Sequence, residues 1–288
     1  MAPLVDRFVV PPFTVLDARQ GYWRERRSEW EAFGIRGDEG RNPSLLGGWD
    51  ALRNDKYGRQ NMPLSLSIFD PVLCEVVYRW FCPPGGHVLD PFAGESTKGL
   101  VALALGYGYT GIELRQEQVE ANRARAVAVG FKPEWIVGDS ARIGEYLGDR
   151  EFDLVFTSPP YYDLEVYSSG VEDGSALPSY QAFMAWYEDI FRQAAARLRR
   201  DRFLVVKVGE IRDKTSGEFH GFVPDNINVF RRIGLSYYNH AIFLTPLGTQ
   251  PIRTSAQFSK GRKLGKVHQD VLVFYKGDSR DVKSRFGQ

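Results

Sequence analysis

The stretch Thr157-Ser158-Pro159-Pro160-Tyr161-Tyr162 sets a small hydroxyl, a stiff turn and two aromatic rings side by side. It follows the apolar run Phe152-Asp153-Leu154-Val155-Phe156, which reads as a short buried strand. Two consecutive prolines cannot donate to a ladder, so the chain must leave the sheet there. The carboxyl edge of an open α/β sheet is where such folds hold their ligands. Residues of these types at that edge can grip a flat ring bearing an exocyclic amine. A proline-rich loop with two packing tyrosines would use the same residues, and the stretch alone supports both readings.

A second constellation lies upstream. Asp90-Pro91-Phe92-Ala93-Gly94-Glu95-Ser96-Thr97 joins a strand to a helix through a sharp turn, and Gly94 would let a ligand approach the backbone closely. The Gly-x-Gly-x-x-Gly of a dinucleotide site is absent, and Ser96-Thr97-Lys98-Gly99 runs in the wrong order for a P-loop. Acids instead end successive strands: Asp90, then Glu113-Leu114, then Asp139-Ser140. The second suits the two hydroxyls of a ribose. The first suits a cationic ligand group better than a phosphate, and the third can hydrogen-bond an adenine. Each acid taken singly is a cap or turn residue; the series, without a phosphate cradle, points to S-adenosylmethionine.

The elements that must position these residues follow from periodicity. Asp70-Pro71 opens a helix running to Phe81, and strands at 87–90, 111–114, 135–139 and 152–157 alternate with helices near 98–105 and 116–129. Tyr180, Phe183, Met184, Tyr187, Phe191, Ala194 and Leu198 keep helical spacing, Phe203 to Val208 is a fifth strand, 223–233 a helix, and 236–244 and 267–276 the last strands, with Leu272 to Tyr275 closing the sheet. The expected fold is α/β: a Rossmann-like, mixed but mostly parallel seven-stranded sheet with helices on both faces. Residues 1–60 form an arm in which arginines interleave with tryptophans, around a helix near 19–33 ended by Gly34. Such a helix can stack on bases or fasten the arm to the domain, and we favour the second. Residues 61–288 form the main domain.

Bulk properties bound the class. The 288 residues carry a net charge of +1, yet no Asp or Glu occurs from Asn226 to Gln269, while Arg231, Arg232, Arg253, Lys260, Arg262, Lys263 and Lys266 fall there. That asymmetry suits a polyanion, although a solvated loop would share it. Cys74 and Cys82 read as reduced thiols, the four histidines are scattered, and no metal is implied. Neither a signal sequence nor a membrane span is evident, and a cytoplasmic protein is expected.

Asp90-Pro91-Phe92-Ala93-Gly94 followed by Ser158-Pro159-Pro160-Tyr161 resembles the amino-methyltransferases that modify adenine N6 or cytosine N4 in DNA. Their loop usually reads D-P-F-x-G-S-G-T-T, so Glu95 and Lys98 depart from it. The resemblance covers residues 60–210 well and the last strands more loosely. It implies a class I methyltransferase fold with S-adenosylmethionine held by Asn61, Met62, Pro63, Ser65, Asp90, Pro91, Phe92, Ala93, Gly94, Ser96, Thr97, Glu113, Leu114, Asp139, Ser140 and Ser158. Ser158 and the Pro159 carbonyl would accept hydrogen bonds from the amine of an extruded base, Pro160 would stiffen the turn, and Tyr161 would stack on that base. Serine in the first position leans toward cytosine N4. Double-stranded DNA is the implied partner. With only about 60 residues between the two motifs, no recognition insert fits there, which leaves 162–180, 210–222 and the loop 246–268. Gln250, Arg253, Gln257, Lys260, Arg262, Lys263 and Lys266 offer contacts for phosphates and base edges, and this loop is expected to be mobile without DNA. A cognate restriction endonuclease is allowed but not required, and the oligomeric state is left open. The alternatives are a methyltransferase of RNA or of protein glutamine, and an inactive DNA-binding relative.

Overall fold

The computed structural model describes residues 4–35, 69–162, 177–247 and 250–286. Along the chain these form α1 (Leu4–Phe8), β1 (Val15–Asp17), α2 (Gly21–Ala32), α3 (Pro71–Phe81), β2 (His87–Asp90), α4 (Thr97–Ala104), β3 (Gly108–Glu113), α5 (Gln116–Ala128) and β4 (Glu134–Val137). Then come α6 (Ile143–Leu147), β5 (Phe152–Thr157), α7 (Tyr180–Arg197), β6 (Leu198–Val208), α8 (Phe222–Arg232), β7 (Ser236–Leu244), α9 (Gln250–Gly261), β8 (His268–Lys276) and α10 (Val282–Phe286).

One sheet holds the strands in the order β1-β7-β8-β6-β5-β2-β3-β4. Only β8 runs against its neighbours β6 and β7; the other pairings are parallel. The sheet has eight strands rather than seven, because Val15–Asp17 pairs with Ile242–Leu244 at the edge. A three-residue strand flanked by Pro11, Pro12 and an Asp-Ala-Arg turn leaves no period to read. Strand β8, expected to close the sheet, sits inside it between β7 and β6.

Successive strands step outward from β2 to β3 to β4 on one side, then from β5 to β6 on the other. The order therefore reverses between β2 and β5, and a crevice opens there at the carboxyl ends of the strands. Parallel strands covered on both faces should be apolar throughout, and β5 is buried along its whole length. One face packs on Val72, Val76, Leu100 and Val101; the other packs on Phe183, Tyr187, Phe191 and Phe230.

The described part of the N-terminal arm is bound to the domain through its tryptophans and arginines. Trp23 Nε1 donates to Asp70 at 3.2 Å and Trp30 Nε1 to Glu75 at 2.8 Å. Arg26 makes a two-pronged pair with the buried Glu75 at 2.7 Å, and Arg27 pairs with Asp70. These rings and guanidinium groups are thus committed to α3. Among the described residues no helix is long and apolar enough to cross a membrane.

The segment expected as a basic loop contains α9. Gly248, Pro251, Gly261 and Gly265 punctuate the sequence there, and punctuation of that density hid a twelve-residue helix.

Candidate functional site

Strands β2 and β5 are neighbours, with Val88 opposite Leu154 and Leu89 opposite Val155. Their tips, Asp90 and the Ser158 turn, therefore flank the crevice together. At the β5 tip, Thr157 is fully buried, Pro159 is buried, and Ser158, Pro160, Tyr161 and Tyr162 are half-buried. The Ser158 hydroxyl donates to the Lys207 backbone carbonyl at 3.1 Å. Its only proton is spent on the neighbouring strand, so its lone pairs remain available as acceptors. The two tyrosines are held differently. Tyr162 packs against Tyr180, Phe183 and His220 at ring separations of 5.6–5.8 Å. Tyr161 stands edge-on to Phe222 at 5.9 Å, while its hydroxyl accepts a hydrogen bond from Gln269 Nε2 at 2.9 Å. Gln269, at the start of the antiparallel strand, thus positions the Tyr161 ring. The signal for Gln269 in the sequence is its place directly after the basic segment.

The β2 tip is built around an internal ion pair. Asp90 is fully buried, and Lys98 Nζ lies 2.8 Å from its carboxylate. Tyr109 donates to the same oxygen at 2.8 Å and the Phe92 N–H to the other at 3.2 Å. Lys98 also donates to the Phe92 carbonyl at 3.0 Å. Asp90 was expected to face a cationic ligand group. Lys98 takes that role from within the chain, so Asp90 shapes the loop instead.

Glu95, standing where the related loops carry serine, is 3 % exposed. Its carboxylate accepts from the Thr97 N–H at 2.7 Å and the Thr97 hydroxyl at 2.6 Å, satisfying the exposed amino end of α4. The other oxygen accepts from the Phe69 N–H at 3.3 Å, which ties the loop to the start of α3. Pro91, Ala93, Ser96 and Thr97 are buried, and Phe92 packs on Trp186 and Phe191. Gly94 has φ +59°, and a Cβ placed there would meet no atom within 4 Å. Backbone beside open space, at the mouth of the crevice, fits close approach of a ligand.

Glu113 ends β3 with one oxygen on the Gly94 N–H and the other on the Arg115 N–H, both at 3.0 Å. Burial pushes its carboxyl above the ordinary value, and these two donors and the Arg115 charge pull it back. Half of the four lone pairs of an ionised carboxylate remain for a pair of hydroxyls. Leu114 is half-buried beside it. Asn122 Nδ2 holds the Gly94 carbonyl at 2.8 Å, and Gln118 holds Asn122 at 2.9 Å. Asp139 accepts from the Ala141 N–H at 2.9 Å. Ser140 is buried, with its hydroxyl donated to the Pro91 carbonyl. Ser140 thereby braces the loop, and its lone pairs are what remain for the expected adenine contact. Asn61, Met62, Pro63 and Ser65 lie outside the described residues, as does Asp163 with the following segment to 176.

Lys207 escaped sequence reading, although a lysine inside the run Leu204-Val205-Val206-Lys207-Val208 is a clear signal. It is 5 % exposed, with Nζ 4.1 Å from the centre of the Phe69 ring; Lys98 Nζ approaches the same ring at 5.2 Å. Burial first, and the Lys98 charge next, lower its pKa to about 8, while Asp70, Cys74 and Glu95 oppose the shift. The sign follows. Below about pH 8 both folded and unfolded chains hold the proton, and the cost of burying the charge is fully present. Between about 8 and the ordinary lysine value the unfolded chain binds the extra proton, so stability rises with pH. Lys207→Met is expected to be more stable than wild type near pH 7, by at most roughly 3 kcal/mol. That advantage should shrink toward zero by about pH 10. Urea unfolding of both proteins across this range checks it, and a difference independent of pH would contradict the assignment.

Of the expected polyanion contacts, Gln257, Lys260, Arg262 and Lys263 are exposed. Arg253 lies in α9. Lys266, exposed overall, donates to the Glu210 carbonyl at 3.0 Å and sits 5.7 Å over the Tyr161 ring. Its ammonium is thus tied to the Tyr161 turn and the Glu210 carbonyl. Arg232 is likewise committed, to Glu188 at 2.6 Å. Among the described residues no group of three or more His, Cys, Asp or Glu is placed to hold a metal.

Residues 70–124 match the family model of the DNA methylases of the N6/N4 type. A tRNA (guanine(10)-N2)-dimethyltransferase from Pyrococcus abyssi is 32 % identical over 76 residues, which are 26 % of this chain and 23 % of that protein. The chain thus spans under a quarter of that relative. Among solved structures, TrmN from Thermus thermophilus aligns at 18 % identity with a TM-score of 0.48, over 72 % of this chain and 49 % of that one. A methyltransferase from Pyrococcus furiosus aligns at 15 % identity with a TM-score of 0.47, over 80 % and 94 %.

Proposed function

We propose, from a Rossmann-like methyltransferase fold that carries the DNA methylase signature at residues 70–124, that the protein methylates an exocyclic amine of a base in double-stranded DNA. Cytosine N4 is favoured over adenine N6. The observation that carries this reading is the half-buried Ser158 turn beside the Asp90–Gly94 loop, on adjacent strands at the sheet reversal.

Bound S-adenosylmethionine supplies an electrophilic methyl group on a sulfonium. The residues that fit it are Gly94, with its open backbone, and Glu113, with lone pairs to spare; Phe92, Ala93, Ser96 and Thr97 shape the loop. An exocyclic amine is a poor nucleophile because its lone pair is delocalised into the ring. Ser158 Oγ, its proton already spent on Lys207, and the Pro159 carbonyl accept the two N–H bonds of the amine. Holding both favours a pyramidal nitrogen with its lone pair aimed along the transfer axis. Tyr161, fixed by Gln269, stacks on the base. Orientation of two reactants in line is worth up to roughly 7–11 kcal/mol, and no covalent nucleophile is needed. Both cysteines are buried, which accords with a structural role.

A second reading, methylation of an RNA base amine, is supported by the 32 % identity to the tRNA enzyme. Purified protein incubated with labelled S-adenosylmethionine and, in parallel, duplex DNA, tRNA and protein, followed by nucleoside mass analysis, separates the two. N4-methylcytosine in DNA is the expected product. Label confined to RNA selects the second reading, and label confined to protein glutamine overturns both. Absence of cofactor binding by calorimetry would leave an inactive nucleic-acid binder.

A further inference from the structure

The chain from Glu210 to Gly221 turns back on itself directly beyond the carboxyl end of β6. Arg212 and Phe219 pair across it as an antiparallel bridge, and Asp213 N–H donates to the Glu218 carbonyl at 2.9 Å. Asp213 also accepts from the Thr215 and Ser216 N–H groups at 2.9 and 2.6 Å, and Arg212 Nη1 donates to the Gly217 carbonyl at 2.9 Å. The tip is thus closed by its own hydrogen bonds. Its two ends are fixed as well. Glu210 accepts from the Phe222 and Val223 N–H groups at 3.1 and 3.0 Å, at the start of α8. His220 lies flat on Tyr180, with ring centres 4.4 Å apart, and edge-on to Tyr162 at 5.8 Å.

Neighbouring residues of an extended strand face opposite ways. His220 faces inward against Tyr162, the residue next to the stacking Tyr161. Phe219 faces outward and is 54 % exposed, with the Arg212 guanidinium 3.7 Å from its ring centre. Apart from its contact with Arg212, the Phe219 ring stands out in water on a closed, doubly anchored hairpin. The basic segment runs alongside: a Cβ at Gly217 would lie 2.8 Å from Lys263 Nζ. The segment carries Glu210, Asp213 and Glu218 against Arg212 and Lys214, so it has one acid in excess and phosphate attraction comes from the neighbouring lysines.

An enzyme that works on a base taken out of a duplex leaves a gap in the stack. Apolar side chains inserted between base steps fill such gaps. We propose that Phe219 is this wedge: it enters the duplex as the target base leaves, while Arg212 keeps the ring erect and faces the phosphates. The inference rests on the DNA methylation reading and adds to it a residue outside the transfer site.

The test compares wild type, Phe219→Ala and Phe219→Trp on one mixed-sequence genomic DNA, offered native and heat-denatured, by methyl incorporation from labelled S-adenosylmethionine. Native DNA needs a wedge and denatured DNA does not. Phe219→Ala should lose on the order of 10- to 100-fold on native DNA. It should stay within a few-fold of wild type on denatured DNA, and Phe219→Trp should recover most of the native activity. Equal losses on both forms, or no loss on native DNA, overturn the wedge. Failure of wild type to label either form overturns the methylation reading itself, and the wedge with it. That outcome is recognised from wild type alone.

Discussion

Ser158→Ala is expected to lower the rate of methyl transfer by roughly 100-fold or more, the usual scale for losing one preorganised hydrogen bond at a reacting atom. Affinity for S-adenosylmethionine and for nucleic acid should stay within a few-fold of wild type. The split follows from geometry. The serine hydroxyl is tied to the Lys207 carbonyl at 3.1 Å, so its lone pairs are fixed in direction before any base arrives. Alanine removes an acceptor that matters only once the amine nitrogen becomes pyramidal, and so it should affect turnover more than binding. Loss of the bond to Lys207 costs the fold about 1 kcal/mol, too little to unfold a domain of this size. Single-turnover transfer, measured beside cofactor binding by calorimetry, separates the two quantities. Unchanged turnover would remove Ser158 from the reacting centre and with it the main support for amine chemistry.

The expected positions of the Ser158 turn and the Asp90 loop were legible because prolines and a strand-turn-helix pattern are local signals. Strand β5 matches its expected bounds, Phe152–Thr157, since a fully buried strand reads as an unbroken apolar run. Helix α3, Pro71–Phe81 with Asp70 as its cap, matches because the cap and the proline mark its start chemically. What escaped depends on pairs distant in sequence or on charges used inward. Nothing in the spacing of Asp90 and Lys98 announces that they meet. They do so because the helix after the loop folds back over the strand that precedes it. The acid-free stretch from Asn226 to Gln269 offered a uniform basic surface. The fold divides it, sending Arg232 to Glu188 and Lys266 to Glu210 and Tyr161, while Lys260, Arg262 and Lys263 remain outside. Gln269 illustrates the same limit. It is placed by β8, whose antiparallel course brings its first residues to the edge where the parallel strands end.

Breaking the Asp90–Lys98 pair is expected to have the largest effect on stability. Asp90 is 0 % and Lys98 3 % exposed, 2.8 Å apart, so removing either charge strands the other without water. Asp90→Asn keeps one acceptor oxygen where Tyr109 and the Phe92 N–H now use two, and it leaves the ammonium uncompensated, so a loss of about 3–5 kcal/mol is expected. Lys98→Met should cost a similar amount, because it strands the carboxylate and frees the Phe92 carbonyl. The double variant should lose much less than the sum of the two, with a coupling of roughly 1–3 kcal/mol measured by urea unfolding of all four proteins. The pair also joins stability to ligand binding. Lys98 holds both the strand tip and the Phe92 carbonyl, and that carbonyl lies two residues before the open Gly94. Lys98→Met should therefore weaken S-adenosylmethionine binding beyond what the fraction unfolded explains, as judged by calorimetry at a temperature where the variant stays folded. Additive losses would mean that the two charges do not need each other. Asp90 would then be free to face a cationic ligand, and the loop would owe its shape to Glu95, Glu113 and Asn122 alone.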